Sequence, residues 1–168
     1  FAASQKTWVS SLQSTLQQRL GFAADRLTVL SENGAGTAIA NRDNVTRTLA
    51  SFKSRLTADD TLLVVLIGHG TYDGTAAKFN LVGPDMDSRE WKASLDGNPA
   101  RLVFVNTTSS SFQFVPALAG KNRIVIAATG SAAQKYATLF PQYFIEALDQ
   151  GAKADNDKNG RLSVWEVF

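Results

Sequence analysis

His69 is the only histidine of the chain and stands between Gly68 and Gly70, directly after the apolar run Leu62–Ile67 (LLVVLI). An imidazole flanked by two glycines can be approached closely, and at the carboxyl end of a buried strand it stands where α/β sheets collect their ligands. A second apolar run, Leu102–Val105, ends in Asn106, Thr107, Thr108, Ser109, Ser110 and Ser111. If the two strands are neighbours, His69 meets this hydroxyl run at one sheet end. A hydroxyl with a base in hydrogen-bond reach, and a third group orienting that base, could act as a nucleophile. Thr108 and Ser109–Ser111 are the candidates. The plainer alternatives are a strand-end histidine bonded to a loop carbonyl, and hydroxyls bonded to nearby backbone, as serine and threonine often are in loops.

A second constellation lies at residues 155–166. Asp155, Asp157, Asn159, Gly160, Arg161, Ser163 and Glu166 hold positions 1, 3, 5, 6, 7, 9 and 12 of a loop with EF-hand spacing. Short oxygen-bearing side chains at alternate early positions surround a cation. Gly160 permits the sharp turn, Arg161 lends its carbonyl, and Glu166 closes the site with two oxygens. Ca²⁺ is the expected ion, because Mg²⁺ demands a stricter octahedron. The competing reading is a polar turn that caps a terminal helix. The paired carboxylates Asp85 and Asp87 are read as helix caps, and the Gly-x-Gly of the SENGAG stretch lacks the lysine and length of a phosphate loop.

These residues need a frame. Trp8, Val9, Leu12, Leu16 and Leu20 recur at helical spacing from about Gln5, with Gly21 as the stop. Arg26–Leu30 reads as a strand, and a helix capped by Asn41 or Asp43 follows over Asn44–Leu56. The run Leu62–Ile67 reads as the central, most buried strand. Lys78–Val82 is a minor strand, and Asp87–Leu95 a helix capped by Asp87 or Ser88. Leu102–Val105 and Ile124–Ala128 are further buried strands with a helix near Phe112–Leu118 between them, and Leu139–Leu148 is a last helix. Strands alternating with helices imply a largely parallel sheet. The fold class is therefore α/β, and residues 1–168 are expected to form a single domain.

An apolar strand ending in His-Gly, followed by a second ending in an acid, a small residue and a cysteine, is the double signature of the caspase, legumain and gingipain clan of cysteine peptidases. The chain resembles that clan from roughly Gln5 to its end, through the SENGAGTA loop, the Gly-His-Gly and the RIVIAATGS stretch. The resemblance implies a three-layer sandwich with a mostly parallel central sheet and helices on both faces. It places the family's acid on Asn106, its small residue on Thr107 and its nucleophile on Thr108, with the histidine kept as His69. The family's first strand would lie before Phe1, which suits an excerpt of a longer chain.

The chain has no cysteine. Thiol catalysis, disulfides and thiolate metal sites are thereby excluded, and a threonine hydroxyl does not replace a thiolate without further activation. The reading that follows is a non-catalytic, caspase-like domain carrying a calcium loop. Its expected role is recognition or scaffolding, with a peptide, a protein or a neighbouring domain of the same chain as partner. The alternative is a peptide hydrolase using His69 with a hydroxyl nucleophile. Seventeen basic and fifteen acidic residues, scattered without runs, leave no stripe for nucleic acid, and no apolar stretch is long enough to span a bilayer. Absence of cysteine together with the resemblance points to an exported bacterial protein, periplasmic or extracellular.

Overall fold

Helix α1 (Ala2–Ser14) continues through π-type turns over Thr15–Arg19 and stops where Gly21 takes φ +71°. Leu12 and Leu16 are buried, as the helical spacing requires. After a short 3₁₀ turn comes a minimal parallel pair, β1 (Leu30–Ser31) with β2 (Ala38–Ile39). The strand expected over Arg26–Leu30 is thus reduced to its last residue plus Ser31, because Ala24–Arg26 coils and only Leu30 and Ser31 find ladder partners. Helix α2 (Arg42–Arg55) begins at Asn41, whose side chain accepts a hydrogen bond from the Asn44 N–H at 2.8 Å. Strand β3 (Thr61–Leu66) leads into an antiparallel set of β4 (Gly70–Tyr72), β5 (Ala77–Phe79) and β6 (Met86–Asp87).

Helix α3 (Ser88–Leu95) opens with a reciprocal cap: the Asp87 carboxylate accepts from the Glu90 N–H at 2.9 Å, and Glu90 accepts from the Asp87 N–H at 2.9 Å. Such a pair satisfies donors that the first helical turn leaves unpartnered. Strand β7 (Arg101–Asn106), a 3₁₀ turn, helix α4 (Phe114–Leu118), strand β8 (Arg123–Ala127), helix α5 (Phe140–Asp149) and helix α6 (Val164–Val167) complete the order. The fold is α/β, and its main sheet is parallel in the order β3-β7-β8. None of the described helices is long and apolar enough to cross a membrane.

The expectation that Leu62–Ile67 forms the central strand is corrected. Strand β7 is the centre, with Phe104 and Val105 fully buried, whereas β3 lies at an edge with Leu63, Val64 and Val65 half-buried. A continuous apolar run reports burial of the two faces. It says nothing about how many strands flank it, which backbone pairing decides.

The computed structural model describes residues 2–168, and they divide into two units. The larger, Thr28–Thr138, holds one apolar core. In it Leu62, Leu66, Leu102 and Phe104 from the sheet pack with Val45 and Leu49 of α2, Trp91 and Leu95 of α3, and Phe114 and Leu118 of α4. Phe79, Trp91, Phe104 and Phe114 form a chain of ring contacts with centroids 5.6 to 6.2 Å apart. Each such buried aromatic stabilises the unit by roughly 1.5–3 kcal/mol through area removed from water. The other unit is built from the two ends of the chain, up to Leu27 and from Leu139. There α1 meets α5, and the buried Thr15 hydroxyl donates to Asp149 at 3.3 Å.

Candidate functional site

Strands β3 and β7 are neighbours in register, Leu66 opposite Asn106, so the Gly-His-Gly segment and the hydroxyl run leave the sheet side by side. The closeness is measurable at Gly70. A Cβ there would lie 2.0 Å from the Ser109 carbonyl oxygen and 2.5 Å from Thr108 Oγ1, so only glycine fits. His69 is exposed, and its carbonyl accepts from the Asn80 N–H at 3.0 Å.

The hydroxyl run is buried throughout, with Thr108 only 1% exposed. Its members are occupied in holding loops together. Thr107 Oγ1 donates to the Leu66 carbonyl at 2.7 Å, and Ser109 Oγ to the Gly70 carbonyl at 2.8 Å, so the segment after β7 is stitched to the last residue of β3 and the first of β4. Thr108 Oγ1 lies 2.7 Å from Asn106 Oδ1 and 3.0 Å from the Ser109 carbonyl, both acceptors for its single proton. Ser111 N–H donates to Thr129 Oγ1 at 2.8 Å while Thr129 N–H donates to Ser111 Oγ at 3.2 Å, tying this loop to the one after β8. Ser110 takes a left-handed backbone, φ 53°, and its N–H donates to the Gln134 carbonyl at 3.1 Å.

Asn106 is wholly buried, and its Oδ1 accepts from both the N–H and the hydroxyl of Thr108. The Thr108 N–H can only donate, which fixes the amide's orientation with oxygen toward it. Asn106 Nδ2 then has no hydrogen-bond partner among the described residues. A carboxylate here would use its acceptor toward the same groups and would bring no orphan donor. Thr129 and Gln134 are part of this cluster although the sequence did not single them out. The available signal was the Thr-Gly-Ser that ends RIVIAATGS, a further hydroxyl at a third strand end.

At 155–166, in the unit formed by the chain ends, the carboxylate oxygens of Asp155, Asp157 and Glu166 come within 4.8 Å of one another. Asp155 accepts from the Gly160 N–H at 2.9 Å and Asn159 N–H at 3.1 Å, and Asp157 from the Asn159 amide at 2.7 Å. Asn159 Oδ1 accepts from the Arg161 N–H at 2.8 Å, and Gly160 supplies the turn with φ +76°. Ser163 caps α6 and Glu166 returns the bond, its Oε2 accepting the Ser163 N–H at 2.9 Å and hydroxyl at 2.7 Å. Those donors, with the Asp157 and Asn156 N–H groups, hold the Glu166 carboxyl below the ordinary glutamate range. Each of these carboxylates keeps lone pairs beyond the bonds it accepts, so the cluster has the oxygen chemistry of a hard-cation site.

A separate open cleft of about 280 Å³ lies between the β1–β2 pair and α2, with Leu30, Phe52, Arg47 and Arg55 on its walls and none of the strand-end residues. Comparison with protein-family models, with curated proteins and with solved structures gives no match for this chain.

Proposed function

We propose that the chain is a non-catalytic domain of caspase-like, three-layer architecture that serves as a recognition or scaffold module for a peptide, a protein partner or a neighbouring domain, and that its 155–166 loop binds calcium. The observation that carries the reading is the state of Thr108. The hydroxyl at the position corresponding to the family's nucleophile is buried, and its proton is taken by Asn106 or the Ser109 carbonyl. A nucleophile needs its proton directed at a base and its oxygen open to substrate. The absence of cysteine and the resemblance also favour an exported bacterial setting, as part of the same proposal.

The test is turnover of a diverse fluorogenic peptide library by the purified domain, with and without calcium. No cleavage is expected. Cleavage abolished by His69→Ala would overturn the reading in favour of a hydrolase using His69 and a hydroxyl. Activity appearing in Thr108→Cys would show that the cleft survives around a lost thiol.

The calcium half is tested separately by calorimetric titration of the chelator-treated domain. Saturable binding is expected, weakened by about tenfold or more in Glu166→Gln, with Mg²⁺ a poor competitor. A flat titration, or one unchanged in Glu166→Gln, would remove calcium from the proposal.

A further inference from the structure

The cleft of about 280 Å³ between the β1–β2 pair and α2 is built wholly from residues of the larger unit. Its floor is apolar. Leu30 and Phe52 are half-buried and pack against the core, so their positions are fixed. Its rim is cationic, because Arg47 and Arg55 line it and no aspartate or glutamate does. Neither arginine forms an ion pair among the described residues, whereas Arg19, Arg42 and Arg123 each do.

Both side chains are held in place. The Arg55 guanidinium lies over the Phe52 ring, 5.0 Å from its centroid, and its Nε donates to the Ser51 carbonyl at 3.3 Å. Arg47 donates through Nη2 to Asn44 Oδ1. A guanidinium has five N–H donors in a rigid fork, so these bonds leave most of them for an anion, and the fork fits a carboxylate with two parallel bonds. Thr48 and Ser51 add hydroxyls on the stretch of α2 between the two arginines.

Spacing selects the anion. Arg47 and Arg55 stand eight positions apart on α2, a rise of about 12 Å. A single carboxylate or phosphate cannot span that distance. In an extended peptide, the side chains at i and i+4 lie on one side about 13 Å apart, with the side chain of i+2 between them. We infer that the cleft binds an extended peptide segment of the pattern acidic-x-apolar-x-acidic, its two carboxylates on Arg47 and Arg55 and its apolar side chain on Leu30 and Phe52. The inference stands on this cleft alone. It is independent of the peptidase resemblance and of calcium, and the cleavage test above leaves it untouched.

Fluorescence anisotropy of a labelled ESLSE peptide titrated with the purified chain should rise to saturation, and fall as sodium chloride is added, since exposed charge contacts are screened. The isomer EESLS has the same charge but adjacent carboxylates. It should bind about fivefold more weakly, and ESLSE should lose about as much with Arg47→Gln or Arg55→Gln, the upper part of the range for an exposed ion pair. KSLSK should not bind. Both arginines are exposed, so the circular dichroism of the variants should be unchanged. Should a variant misfold, the comparison of the two isomers on the unmodified chain still decides. Absence of a saturable rise would overturn the inference. So would equal affinity for ESLSE and EESLS, which would mean general attraction to a basic surface, or an affinity indifferent to both substitutions.

Discussion

Gly70 and Thr108 show how a residue's chemistry is fixed by its neighbours. Gly70 admits the Ser109 carbonyl to within 2.0 Å of where a Cβ would sit, so a methyl group cannot enter unless backbone moves. Gly70→Ala should lower stability by about 3 kcal/mol, the upper part of the range for overpacking. Gly74→Ala is the comparison: φ is +97° but nothing lies near the added carbon, and about 1 kcal/mol is expected from backbone conformation alone. Urea midpoints of the two variants check the difference. An effect at Gly70 no larger than at Gly74 would show that the two loops are less tightly apposed. The glycine was legible in the sequence as a residue permitting close approach. What approached it, Ser109 rather than a ligand, was not, because the contact depends on register between strands far apart in the chain.

The elements separate into those specified locally and those specified by partners. Helices α2 and α3 could be read with their caps, since Asn41, Asp87 and Glu90 act within one turn of where they stand. The edge position of β3 could not be read, since it depends on which strand lies beside it. Helix α6 also depends on local acceptors, and this gives it a pH response. The Glu166 carboxyl lies below its ordinary range, so it favours the folded loop while ionised. That contribution is present above the unfolded glutamate value and disappears as pH falls through the lower folded value. Near-neutral solution should therefore keep the loop and α6 ordered, and acidification below the usual glutamate range should loosen them. Amide signals of residues 163–168 followed by nuclear magnetic resonance should report this change, and Glu166→Gln should flatten it. An unchanged profile in Glu166→Gln would assign the response to another group.

At the scale of the molecule, alternation of strands and helices was enough to give the α/β class, whereas the adjacency of the Gly-His-Gly and hydroxyl segments stood only as a condition until the β3–β7 pairing met it. It did not foresee that the hydroxyls would be enclosed and bonded to one another's loops, since composition alone makes a run of serines look like surface. Nor did it foresee a unit assembled from both ends of the chain. That unit has a consequence for how the protein is made. The stretch up to Leu27 leaves the ribosome before residues 28–138, and its partners from Leu139 onward leave after them. Helix α1 must wait for α5, with all of residues 28–138 synthesised in between. In the interval Leu12 and Leu16 have no final burial site, and their apolar surface is what a nascent-chain chaperone would hold.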